Sequence, residues 1–143
     1  MPLNIVHFSQ DFRKDKGQLG AFSRTFNLTL DGNRHIIFTI HYGDEIISSY
    51  AFEHLDIISI GIGQRELRGR FERSLSIFIG ERMLSYLLAN QIRVNLLYGH
   101  AQLINYKILN HINKKLHRPL VWDVNTIWGL PLFQRDAFLF KLY

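Results

Sequence analysis

Between residues 24 and 63 the apolar residues recur with a period of two, and two turn signals break the run. This constrains the fold more than any other feature of the chain. In "RTFNLTL" (24–30) Phe26, Leu28 and Leu30 fall on one face, with Asn27 and Thr29 on the other, which is strand patterning. "DGN" (31–33) follows, a hairpin turn signal because Gly and Asn tolerate positive φ. "HIIFTIHY" (35–42) is β-branched and aromatic, "GDE" (43–45) is a second turn, and "IISSYAFEH" (46–54) is a third strand. "DIISIGIG" (56–63) reads as a fourth, with Ile58, Ile60 and Ile62 on one side and the small Ser59, Gly61 and Gly63 on the other. Small residues in alternation signal a close approach on that face. Strands joined by such short turns read as an antiparallel meander.

Beyond residue 65 the period lengthens. Leu67, Phe71, Leu75 and Phe78 recur every three to four residues, so the pattern suits a helix over residues 66–90. A rival parse makes "SLSIFIG" (74–80) a strand and starts the helix at Glu81. "RVNLLYG" (93–99) reads as a strand. "HAQLINYKILNHINKKL" (100–116) reads as a helix with basic residues in its last turn, where the helix dipole favours them. Pro119 closes that unit, "LVWDVNTIW" (120–128) is a strand, and "DAFLFKLY" (136–143) is a short final one. The resulting order, β-β-β-β-α-β-α-β-β, predicts an α+β layer fold: a mostly antiparallel sheet with two main helices in the C-terminal half. The 143 residues, 47% apolar, suit a single domain over 1–143.

Charge narrows the partners. Residues 1–64 hold five Lys/Arg against seven Asp/Glu, and residues 65–143 hold twelve against five. A basic half of this kind points to an anionic partner: a phosphorylated cofactor, another anionic ligand or nucleic acid. Arg65, Arg68, Arg70 and Arg73 lie within nine residues at a strand-to-helix junction. Arginine suits bidentate phosphate contact, and the alternative is a solvated first turn with internal pairs Arg68–Glu72 and Glu66–Arg70. The chain has no cysteine, which excludes disulfides, a thiol nucleophile and a Cys-based metal site. Seven histidines are present, but no His-Glu-x-x-His and no tight His/Asp/Glu set, so no metal site is expected. No apolar run reaches the roughly 20 residues of a membrane span, and the N-terminus lacks a signal-peptide pattern, so the expectation is a cytoplasmic protein that avoids membranes. Trp122, Trp128, Phe133, Phe138, Phe140 and Tyr143 crowd the C-terminus, as core or as a homodimer contact.

The element order resembles that of the Gcn5-related N-acetyltransferase family. In that family a phosphate-binding loop, Gln or Arg, two variable residues, Gly, one variable residue, then Gly or Ala, opens a helix. "RELRGRFER" carries Arg68-Gly69-Arg70, and "SIFIGERML" carries Ile79-Gly80, matching the start and the end of that pattern. Phe71 and Arg73 replace its later glycines in the first stretch, and Phe78 an earlier one in the second. The resemblance implies a small N-acyltransferase that uses acetyl-coenzyme A or another acyl-coenzyme A. Arg65, Arg68, Gly69, Arg70, Arg73 and Gly80 would hold the pyrophosphate. "HAQLINYKIL" resembles the late helix of the family, so Tyr106 would protonate the leaving thiolate, and Glu53 or a histidine would take the proton of the acceptor amine. Two other readings of the residues stand beside it. One is a basic nucleic-acid-binding module using the arginine cluster with Lys107, Lys114, Lys115 and Arg118. The other is a nuclease toxin using histidine and arginine, for which His35 and His41 share one face of a strand.

Overall fold

A computed structural model describes residues 1–10, 31–52, 54–65, 72–100 and 103–123. Six strands and two helices fall among them: β1 (Asn4–Phe8), β2 (Arg34–His41), β3 (Ile46–Phe52), β4 (Leu55–Gly61), α1 (Glu72–Ala89), β5 (Leu96–His100), α2 (Leu103–Leu116) and β6 (Leu120–Asp123). They form one sheet in the order β3-β4-β2-β1-β5-β6. β1, β2, β4, β5 and β6 are mutually parallel, and only the edge strand β3 runs against its neighbour β4. The fold is thus α/β with a mostly parallel sheet.

This corrects the antiparallel meander. Both edges of β2 are occupied, by β1 and by β4, each parallel to it. No edge remains for a hairpin across Asp31–Gly32–Asn33, and residues 24–30 lie outside the described set. Asp-Gly-Asn does form a tight turn, with Gly32 at φ 78°. The Asp31 carboxylate accepts from the Asn33 N–H at 2.7 Å, and the Asn33 side chain accepts from the Leu3 N–H at 2.9 Å. The turn therefore locks the start of β2 beside the start of β1. β1 itself is the central strand, and the period-two reading passed over it.

Both helices pack on one face. Leu75, Ile79, Met83 and Leu87 recur every fourth residue along α1, all at most 3% exposed. They meet Val6, Phe8, Ile36, Phe38, Ile58, Ile60 and Leu97 of the sheet and Ile104, Ile108, Leu109 and Ile112 of α2 in one core. The strand alternative for residues 74–80 is excluded, since that stretch is helical throughout. α1 ends in a Schellman arrangement: the Gln91 N–H donates to Leu88 O and the Ile92 N–H to Leu87 O, with Gln91 at φ 53°. α2 ends at His117, φ 49°, whose N–H donates to Asn113 O. Pro119 follows two residues later, as the proline rule expects.

The opposite face is also apolar in places. Ile37, Leu55 and Ile57 form a small buried cluster there, in the alternate register to Ile36, Phe38, Ile58 and Ile60. A strand buried on both faces reads as continuous apolar sequence, and "HIIFTI" and "LDIISI" have that character.

Candidate functional site at the carboxyl edge of the sheet

In an open parallel sheet, ligands bind beyond the carboxyl ends of the strands, where successive connections leave in opposite directions. Here that point lies between β1 and β5. The chain runs from β1 to β2, β3 and β4 on one side, then returns through α1 to β5 on the other side of β1. The strand ends bring Ser9 and Gln10 (after β1), His41 (β2), Gly61 to Gly63 (β4), His100 (β5) and Asp123 (β6) to one edge. Register confirms the alignment: Phe8 pairs with Gly99, His41 with Gly61 and His100 with Asp123.

The β4 end is closed. The Gly61 N–H donates to Glu45 O at 2.8 Å, the Ile62 N–H to His41 O at 3.1 Å and the Gly63 N–H to Gly43 O at 2.7 Å. Three consecutive donors are thus spent on the β2–β3 turn, so "GIG" offers no backbone cradle to a phosphate. The close approach read from its small residues is present at Gly61, where the Gly43 carbonyl lies against the Cα. Arg82 of α1 also donates to Asp44 O of this turn at 2.8 Å. His41 shares a hydrogen with Ser59 Oγ at 2.7 Å, and its Nε2 is buried without a partner. The segments that leave β1, β5 and β6 at the same edge lie outside the described residues.

A second polar constellation crosses the face opposite the helices. His35 Nε2 lies 3.2 Å from the Asp31 carboxylate, and His7 Nε2 lies 2.8 Å from His35 Nδ1. If Asp31 accepts from His35, then Nδ1 of His35 is the acceptor and His7 Nε2 the donor. The Tyr98 ring packs 5.4 Å from that of His7. Both histidines are fully buried. Burial works to raise the Asp31 pKa, but hydrogen bonds from the Asn33 side chain and backbone and from His35 outweigh it, and the pKa is lowered. Among the described residues no group of three His, Asp or Glu is placed to hold a metal.

The residues singled out in the sequence do not gather. Arg65 lies just past β4 with its guanidinium 5.1 Å over the Phe78 ring. Arg73 is exposed in the first turn of α1. Gly80 is buried in the middle of α1, where a Cβ would stand 2.8 Å from His111 Cδ2, so its small size serves the helix–helix contact. Tyr106 stacks on Trp122 with ring centroids 5.1 Å apart. Glu53, Arg68, Gly69 and Arg70 lie outside the described residues, as does most of the aromatic C-terminus. Glu72 pairs with Lys107 at 2.7 Å across to α2, and the expected pairs Arg68–Glu72 and Glu66–Arg70 involve residues outside the described set. Ser9 and Gln10 were missed because β1, only five residues long and carrying Asn4 and His7, gave too short an apolar signal.

No protein-family profile and no curated protein sequence matches the chain. Solved structures do. One is an E. coli structure described as trehalose-6-phosphate bound with UDP-2-fluoro glucose, with a TM-score of 0.64 and 11% identity, covering 97% of this chain and 38% of that one. An α,α-trehalose 6-phosphate synthase from Burkholderia multivorans has a TM-score of 0.60 and 10% identity, covering 94% of this chain and 36% of its own. The catalytic domain of starch synthase IV from Arabidopsis thaliana, bound to ADP and acarbose, has a TM-score of 0.57 and 13% identity, covering 85% and 33%. The likeness is one of fold. The chain spans between 33% and 38% of these proteins' length.

The comparison overturns the acetyltransferase resemblance. Two of the structures just named hold UDP-2-fluoro glucose and ADP, and none of the three is described as an acyltransferase. The physical reason is the sheet: an acyltransferase meander needs antiparallel neighbours, and β1, β2, β4, β5 and β6 have parallel ones. The N-acyltransferase activity and the acetyl-coenzyme A cofactor fall with it. Among the described residues no helix is long and apolar enough to cross a membrane.

Proposed function

We propose that this chain is a phosphorylated-sugar-binding unit of a glycosyltransferase-type protein, its ligand a nucleotide sugar such as a UDP-sugar. The ligand lies across the carboxyl edge on the β1–β5–β6 side, near Ser9, Gln10, His100 and Asp123. The observation that carries this reading is the switch point between β1 and β5, in a fold shared with proteins whose structures hold UDP-2-fluoro glucose and ADP. The closed β4 end supports the choice of side, because its N–H groups are already paired. A basic half suits an anionic ligand of this class.

Titration of the 15N-labelled chain with UDP-glucose and with UDP tests it. Saturable shifts are expected at Ser9, Gln10, Gly99, His100 and Asp123, with little change at the amino ends Asn4, Arg34 and Leu96. Absence of saturation up to roughly 10 mM, weaker than any binding of metabolic use, would overturn the reading. So would saturable shifts confined to another surface.

A further inference from the structure

α1 and α2 follow the carboxyl ends of β4 and β5 and run back alongside one another in the same direction. Their cross-pairs show the register: Glu72 with Lys107, and Glu81 with His111 at 2.7 Å and Lys115 at 3.1 Å. Between them lies a groove of about 320 Å3 lined by Arg73, Ser76, Ile77, Lys107, Asn110, His111 and Lys114. Its lining residues all belong to the two helices, none to the strand ends named above.

Among the described residues its charges do not balance. Arg73, Lys107, Lys114 and Lys115 are four permanent cations in and beside the groove, and Glu72 and Glu81 are the two carboxylates paired across it. Lys107 and Lys115 take those carboxylates. Arg73 and Lys114 are in no ion pair among the described residues, and both are exposed. Two uncompensated positive charges on one small concavity repel each other, and one compact dianion relieves both. A single carboxylate would neutralise only one.

The remaining lining suits the same ligand. Lys107, Asn110, His111 and Lys114 form one stripe of α2 at helical spacing, about 10 Å long at 1.5 Å per residue. Asn110 adds an amide donor. Ser76 is not part of the donor set, since its hydroxyl already donates to Glu72 O at 2.6 Å. Ile77, 41% exposed, supplies an apolar wall. The volume is at the lower end of ligand clefts, which fits a small molecule.

We propose that the groove between α1 and α2 binds a small phosphorylated molecule, whose phosphoryl dianion is held by Arg73, Asn110 and Lys114. Arginine offers the forked donor geometry and Lys114 the point charge. The site does not rest on the nucleotide-sugar reading, being built from different residues.

The test is an NMR titration of the labelled chain with inorganic phosphate and with glycerol 3-phosphate at constant ionic strength, alongside co-sedimentation with phosphatidylcholine/phosphatidylglycerol vesicles. Saturable shifts are expected for amides of residues 72–77 and 107–114. R73A and K114A should each weaken binding roughly tenfold, the worth of one charge-assisted contact, with an unchanged far-UV spectrum and urea midpoint. Shifts at Ser9, Gln10 and His100 belong to the other site, so the two proposals fail separately. No saturable shift along the groove overturns the inference. Equal affinity in the R73A/K114A double variant overturns it too. Adsorption to anionic vesicles with no binding of either soluble phosphate also overturns it and makes the patch a membrane contact.

Discussion

Gly61→Ala is expected to destabilise the fold strongly, although alanine is ordinarily the less costly residue in the unfolded chain. A Cβ at Gly61 would fall on the Gly43 carbonyl oxygen and 2.7 Å from that of Glu45. Ordinary carbon–oxygen contact begins near ~3.3 Å, so the β2–β3 turn would have to retreat by more than half an ångström at its nearer points. These are backbone atoms, with no rotamer to swing aside. Retreat stretches the bonds from Gly61 N–H to Glu45 O and from Gly63 N–H to Gly43 O, worth about 1 kcal/mol each. Strain of overpacking adds about 1–3 kcal/mol, and the entropic gain of alanine returns at most about 1 kcal/mol. The net loss is about 2–4 kcal/mol. With a urea m-value of roughly 2 kcal/mol/M, the middle of the usual range, the midpoint should fall by about 1–2 M in a circular-dichroism titration. A midpoint within about 0.3 M of the parent would refute the reasoning, because it would mean that the turn does not press on Gly61.

Other outcomes follow from the same structure. Ile79→Ala, at a fully buried site facing the sheet, should cost about 2–5 kcal/mol in urea unfolding, whereas Leu88→Ala, 65% exposed on the same helix, should stay within about 0.5 kcal/mol. His35→Leu takes away the group that meets both His7 and Asp31, and leaving the buried His7 nitrogen without it should cost about 1–3 kcal/mol. The lowered Asp31 pKa means that its carboxylate binds protons less readily in the folded state than in the unfolded one. Its contribution is therefore present above the ordinary value of 3.8 and is lost as pH falls through the depressed folded value. Asp31→Asn should remove that part of the acid dependence, so parent and variant urea midpoints should converge as the pH drops below about 3.8. A gap that persists or widens there would contradict the assignment.

Local physics was legible in the chain. The helical character of residues 72–89, the basic last turn at Lys114 and Lys115, and the stop at Pro119 all depend on neighbours within a few residues, and the structure has them. So does the Asp31–Gly32–Asn33 turn. Part of the helical groove was legible too, since Lys107, Asn110, His111 and Lys114 recur at helical spacing within a single stripe.

Direction and partnership were not legible. An interior parallel strand and an antiparallel one carry the same β-branched apolar residues, because each strand's period of two depends only on its own pleat. Whether β2 pairs with β1 and β4 or turns back on its predecessor is decided by which edges remain open once the sheet is assembled. The carboxyl edge is a product of that choice: Gln10, His100 and Asp123 are far apart in the chain and meet only because β1, β5 and β6 lie side by side in one direction. The same holds for the groove. Arg73 and Lys114 are separated by 41 positions, and only the packing of α1 on α2 makes two solvated surface charges into one concave, uncompensated pair. Sequence alone determined where this chain bends into helices and turns, because those energies are short-range. Tertiary structure alone decided which strands run together and which charges face each other, because those energies belong to contacts that the chain makes with its own distant parts.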